Sequence, residues 1–205
     1  MALDIGNGGG DFVPYIKYNA KAGRWYIKGV DGEEEVEDMT VVMDFVKIKT
    51  GWFYFGAGKA PEKVFDPSLT QRAPKPEGKI QYTDPVTKIV TEKDKFTRGF
   101  SLVLFSKALG LRELSATSLA LSAPINALYG QYETAPESKQ GMLPVVKIGK
   151  SKAETGKHGT NFIPSFAVEK WVARPPEFDT APTPPASVAS ATDPVAVQDT
   201  GSSEF

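Results

Sequence analysis

The sequence has no cysteine and a single histidine, His158, among its 205 residues. The first absence excludes disulfides, thiolate metal sites and thiol nucleophiles together, and it fits a reducing compartment such as the cytoplasm. The second leaves no pair of imidazoles for a metal site, so His158, beside Gly159, reads as a polar loop residue. No apolar run approaches the roughly 20 residues that a membrane-crossing helix needs. The opening MALDIGNGGG has neither a basic region nor a long apolar stretch, so it does not read as a secretory signal. Enzyme motifs are missing too. GAGKAP has Phe53 where a phosphate-binding loop needs its first glycine, and Ala60 where it needs Ser or Thr. GNGGGD has no strand before it, and G-x-S-x-G does not occur. The expectation is a protein without catalysis, cofactor or metal. A carboxylate-metal nuclease built on EEEVED stands as a minor alternative, because clustered acids in a glycine-flanked loop are usually just solvated.

Charge is divided along the chain. From Glu177 to Phe205 there are five acidic residues and no Lys or Arg, so residues 1–176 hold all 24 basic residues against 20 acidic ones, a net +4. A mildly basic body with an acidic appendage points to a polyanion partner and a separate interaction tail. Three parts are expected: a flexible start at 1–10, a folded domain at 11–176, and a disordered Pro-rich tail at 177–205. The tail is rich in Pro, Ala, Ser and Thr and too poor in apolar bulk to offset the entropy of ordering.

Within the domain, DFVPYIKYNAKAGRWYIKGVDG reads as a β-hairpin turning around Asn19 to Gly23. EEEVED reads as a solvated loop, MTVVMDFVKIKT as a long strand and GWFYFGAG as a short aromatic one. Residues 57–98, with five prolines, read as a long excursion outside the core. GFSLVLFS is a strand. KALGLRELSATSLALSAPINALYGQYE has helical character, with Ser122 and Pro124 suited to opening a short helix. MLPVVKIGKSK and NFIPSFAVEKWVARP are the last two strands, joined by the basic loop KSKAETGKHGTN. Several short strands and one or two short helices suggest a mainly β protein, a five-stranded barrel of the OB type with long insertions. An Ig-like sandwich is the rival, although it does not account for the helical segment.

Strand alternation sorts side chains into faces. Ile16, Tyr18, Trp25 and Ile27 share the core parity. Tyr15, Lys17, Arg24, Tyr26 and Lys28 share the other. The next strand repeats the mixture, with Lys47 and Lys49 alternating against Val46 and Ile48 and Phe45 on the lysine side. The closing strands add Lys147 and Lys150, and the loop adds Lys152 and Lys157 with Phe162 after it. Trp52 to Phe55 cannot all point inward, so Trp52 and Tyr54 are candidate exposed rings. Rings interleaved with cations suit single-stranded nucleic acid, since bases stack on rings at roughly 1–3 kcal/mol each while Lys and Arg track phosphates. The plain alternative is that such lysines only keep the sheet soluble.

The ring-and-lysine β-domain, the Pro-rich linker, the acidic tip ending in Phe205 and the stretch LPVVKIGKSKAETGKHGTNFIPSFAVEKWVARP together resemble the single-stranded DNA-binding proteins of bacteria and their phages. The resemblance is architectural and spans the chain. It implies a protein that coats exposed single-stranded DNA during replication, recombination and repair in a bacterial cell. It also implies that Asp199, Glu204 and Phe205 dock replication or recombination proteins, and it allows a homodimer. A β-rich phage structural or assembly protein with no nucleic-acid role is the alternative reading.

Overall fold

A computed structural model describes residues 13–28, 32–56, 60–84, 87–156 and 159–179. Among the expected site residues, Lys157, Asp199, Glu204 and Phe205 lie outside these, as do the 1–10 segment and most of the acidic tail. The chain is mainly β. In order come β1 (Tyr15–Asn19), β2 (Arg24–Lys28), β3 (Glu33–Val36), β4 (Thr40–Met43), β5 (Lys49–Tyr54), β6 (Glu62–Phe65), β7 (Lys79–Thr83), β8 (Val90–Asp94), β9 (Thr97–Ser106) and β10 (Gly110–Ala116). Helices α1 (Leu119–Thr134) and α2 (Pro136–Lys139) follow, then β11 (Met142–Gly156) and β12 (Gly159–Ala173).

Ten strands form one sheet in the order β12-β11-β4-β9-β10-β1-β2-β3, with β5 branching from β9 and β6 from β5; β7 and β8 make a separate hairpin. The sheet is not closed into a barrel, because β12 and β3 stand at opposite ends and no strand pairing joins them among the described residues. The five-stranded OB barrel is therefore replaced by a larger open sheet. That sheet is curled. The amide of Phe162 in β12 donates to the carbonyl of Ala20 at 2.7 Å, which sets the end of the β11–β12 ribbon against the β1–β2 turn.

The turn itself follows from local chemistry. The side-chain oxygen of Asn19 accepts from the amides of Lys21 and Ala22, at 3.0 and 3.2 Å, and Gly23 takes a φ of +72° that a side chain tolerates poorly. A Cβ at Gly23 would also stand 2.9 Å from the Phe162 ring. The small residue is needed twice, for its dihedral and for the close approach.

The concave side of the sheet holds the core. Ile16, Trp25, Ile27, Val41, Leu104 and Val146 are all buried there, so the alternation of the first hairpin is borne out. Leu121, Ile125 and Leu128 of α1 complete the core, at helical spacing.

Several segments differ from the sequence-based expectation. Helix α1 starts at Leu119, one turn before Ser122, and carries Pro124 inside it. An internal proline costs about 3 kcal/mol, and burial of the three-residue stripe outweighs that. Leu111 and Leu114, read as helical, lie in β10, which pairs with β9 on one side and runs parallel to β1 on the other. EEEVED is not a loop: Glu33–Val36 form β3 on the edge of β2. MTVVMDFVKIKT is not one strand, because Phe45–Lys47 turn as a 3-10 segment between β4 and β5. That turn buries Phe45 and leaves Val46 exposed, the reverse of the parity expected for Phe45. The basic loop between the last strands is mostly strand, since β11 continues to Gly156 and β12 resumes at Gly159. Finally, Pro176–Asp179, expected to open the disordered tail, form a 3-10 turn whose Phe178 is buried against Phe105.

Candidate nucleic-acid interface

Cross-strand register assigns each expected site residue to a face. On the convex side, Lys17 pairs with Tyr26, Tyr15 stands opposite Glu113, and Lys17 Nζ lies 5.7 Å from the Tyr26 ring centroid. Arg24 and Lys28 share that side, both exposed. Thus Tyr15, Lys17, Arg24, Tyr26 and Lys28 do come together, with both rings half-buried. Acids join them from β3, where Lys17 bonds Glu33 and Arg24 bonds Glu35, the latter at 2.6 Å. The sequence does not announce these partners, because EEEV is acidic at three successive positions and shows no alternation that would mark a strand. Beneath Tyr15, burial pushes Glu113 up, yet hydrogen bonds from Lys63, Ser101 and Ser115 outweigh it and leave the carboxyl below its usual range.

Lys147 and Lys152 also lie on one side of the β11–β12 ribbon, opposite Ala167 and Ile163. Between them a register shift from Gly149 to Lys152 marks a bulge at Lys150 and Ser151. The bulge is tied down from both directions. Ser151 Oγ donates to the Gly23 carbonyl at 3.2 Å. The Tyr18 hydroxyl proton is shared between Ser151 Oγ at 2.8 Å and the Phe162 carbonyl at 3.0 Å, and burial pushes this phenol up. Lys21 adds a bond to the Thr160 carbonyl at 3.3 Å.

Those contacts create a cleft of about 310 Å³. Arg24, Glu35, Glu37 and Asp38 line it from the β2–β3 side, and Lys150, Ser151 and Phe162 from the ribbon, with Trp25 between them. Three expected residues, Arg24, Lys150 and Phe162, therefore meet here although four strands lie between β2 and β11 in the sheet. Lys28, Lys147, Lys150 and Lys152 are exposed and make no ion pair among the described residues, so their ammoniums are free to meet a polyanion.

The remaining candidates are placed elsewhere. Lys47 sits in the 3-10 turn and bonds Asp179 at 3.0 Å. Lys49 lies on the convex face but caps the Phe65 ring at 5.0 Å. Trp52 and Tyr54 are on the opposite face of β5 from Lys49, by strand alternation, and are not open rings. Residues 66–78 cross over Trp52 as a strap: its indole N–H donates to the Ala73 carbonyl at 3.0 Å, and the Arg98 guanidinium lies 5.2 Å from its ring. Asp66, its side chain only 2% exposed, anchors the strap. It accepts from both terminal nitrogens of Arg98 at 2.8 and 2.5 Å, from Thr50 at 2.6 Å and from the Ala73 amide at 2.9 Å. The Arg98 guanidinium, with those further donors, holds the Asp66 carboxyl well below the usual carboxylate range. Lys75 of the strap bonds Asp94, which Lys75 and Lys79 hold down to about 2. Tyr54 lies under Lys95, at 4.8 Å, and edge-on to Phe96.

Among the described residues no group of acids and histidine is arranged to hold a metal ion, and no helix is long and apolar enough to cross a membrane. Compared with known proteins, the chain matches no family model, no curated sequence and no solved structure.

Proposed function

We propose that this protein binds single-stranded DNA without strong sequence preference, along a path from the convex face of β1 and β2, past the cleft, onto the β11–β12 ribbon. The observation that carries this reading is the meeting of Arg24 and Lys150 across one cleft, with Tyr15 and Tyr26 on one approach and the unpaired Lys147 and Lys152 on the other. Rings there offer stacking surfaces, and the free ammoniums offer phosphate contacts. Lys17 and Arg24 are engaged by Glu33 and Glu35, so a phosphate reaching them competes with a carboxylate. Surface pairs of this kind are worth about 1 kcal/mol or less, which a phosphate can displace. Trp52, Tyr54 and Lys47 have no part in the path. An OB-like role for the curled sheet, with the acidic segment around Asp199, Glu204 and Phe205 recruiting replication, recombination or repair proteins, belongs to the same proposal. So does action in the cytoplasm of a bacterial, phage-infected cell.

Fluorescence anisotropy with labelled oligo-dT at two salt concentrations tests it. Affinity falling steeply with salt is expected, because neutralised phosphates release counterions. Absent or salt-insensitive binding removes the proposal.

Assembly into a phage structure is the second reading, favoured by one observation: strand β6, paired among the described residues with β5 alone, carries exposed Val64 and Phe65, and Phe55 just after β5 is exposed too. Large, defined particles without nucleic acid in size-exclusion chromatography would support that reading instead.

A further inference from the structure

The cleft combines three kinds of surface. Its floor is apolar, with Trp25, Met39 and Ile148 all buried and Phe162 half-buried. Lys150 stands unpaired on the ribbon side. On the other side Glu37 and Asp38 hold carboxylates that make no ion pair among the described residues. In the floor, the Trp25 indole N–H is buried and makes no hydrogen bond among the described residues. In native structures such a donor nearly always has a partner, in the protein or in an ordered water. The volume, about 310 Å³, lies at the lower end of small-molecule clefts, roughly 300 to 1,000 Å³. It suits one planar ring and its sugar, not an extended strand.

An ionised carboxylate only accepts, through two oxygens, and its best partner presents two adjacent N–H donors. Among the DNA bases guanine alone carries such a pair on one edge, N1–H beside the N2 amino group. Guanine O6 and N7, on its other side, are acceptors that suit Lys or Arg. Thymine presents a single N–H flanked by two carbonyls, which face a carboxylate unfavourably. We propose that the cleft is a guanine-preferring subsite for one unstacked nucleotide of the bound strand, an inference that rests on the single-strand-binding reading of this same site. Glu37 and Asp38 take the donor edge, Lys150 and Arg24 take the acceptor edge or the adjoining phosphate, and the ring lies over the Trp25–Phe162 floor. Unstacked bases are recognised in this way, by aromatic contact and hydrogen bonds to their edges.

The test is fluorescence anisotropy with two labelled oligonucleotides, oligo-dT and the same length carrying one central dG. The single dG is expected to tighten binding roughly tenfold, the discrimination a good bidentate base contact supplies. The double variant E37Q/D38N is expected to bind the two oligonucleotides alike, with oligo-dT affinity raised, because two carboxylates beside the phosphate path become neutral. Asp38 has a φ of +49°, which Asn adopts readily, and near-UV circular dichroism checks that the fold is retained. Equal affinity for both oligonucleotides, still steeply salt-dependent, overturns the guanine subsite and leaves single-strand binding intact. A dG preference that survives in the double variant overturns the roles of Glu37 and Asp38. Undetectable binding of both oligonucleotides overturns the subsite and the underlying reading together.

Discussion

Arg174 places its two terminal nitrogens 2.6 Å from the two carboxylate oxygens of Asp44. The Asp44 side chain is only 1% exposed, and the pair joins the end of β4 to the segment that leaves β12. Arg174 also bonds Asp179 at 3.4 Å and caps the Phe178 ring at 5.2 Å. One guanidinium thus secures the last described turn of the chain to the body.

Removing it should be costly. Arg174→Ala leaves a buried carboxylate with no compensating charge, a loss of about 3–5 kcal/mol, read as a lower denaturation midpoint in urea. Lys47→Ala, which breaks only the exposed bond to Asp179, should change the midpoint by less than about 1 kcal/mol. Equal effects of the two would contradict the buried pair as the main anchor.

The strap over Trp52 should be acid-sensitive. The folded-state value of Asp66 is depressed, mainly by Arg98, below an unfolded value of about 3.9. Its stabilisation is therefore complete above about pH 4 and is lost as the pH falls toward the folded value. As the pH falls from about 4 toward that lower folded value the Trp52 indole should become progressively accessible to a quencher such as acrylamide, and Trp52→Phe should abolish this change in the total tryptophan signal. If Asp66→Asn leaves Trp52 equally protected at neutral pH, the strap is held by something other than this carboxylate.

Binding and stability should separate between the two aromatic faces. Lys147→Ala, Lys150→Ala and Lys152→Ala should each flatten the salt dependence of oligo-dT binding by about 0.7 in the log–log slope, with thermal stability unchanged. Trp52→Ala should do the opposite, costing on the order of 2 kcal/mol, below the range for fully buried rings because Trp52 is only partly buried, without altering affinity. A Trp52→Ala variant that folds normally but fails to bind would move the interface to the strap.

Much of the first hairpin was legible from its residues. Alternation has a period of two and needs no knowledge of the partner strand, so Ile16, Trp25 and Ile27 could be assigned inward and Lys17, Arg24 and Tyr26 outward. The turn was legible because Asn19 and Gly23 carry their own conformational preferences. Phe45 and β3 were not, because a 3-10 turn of three residues and a strand of four leave too short a pattern to reveal a period. The same limit applied to β10, where leucines three apart fit a helix as well as a strand until pairing with β1 and β9 decided.

By itself, then, the amino-acid sequence determined what is local: a cysteine-free, mainly β chain with a basic body, and which side chains of each regular strand share a face. The curl of the sheet decided which of those faces meet, because the bonds that Tyr18 and Lys21 donate to Ser151 and Thr160, and that Phe162 donates to Ala20, span most of the chain and have no signature in nearby residues. It brought Arg24 to Lys150, and the same long-range pairing, Asp66 with Arg98, closed a strap over Trp52. Exposure is a property of the assembled surface, and a ring's neighbours in space, not in sequence, set whether it can receive a base.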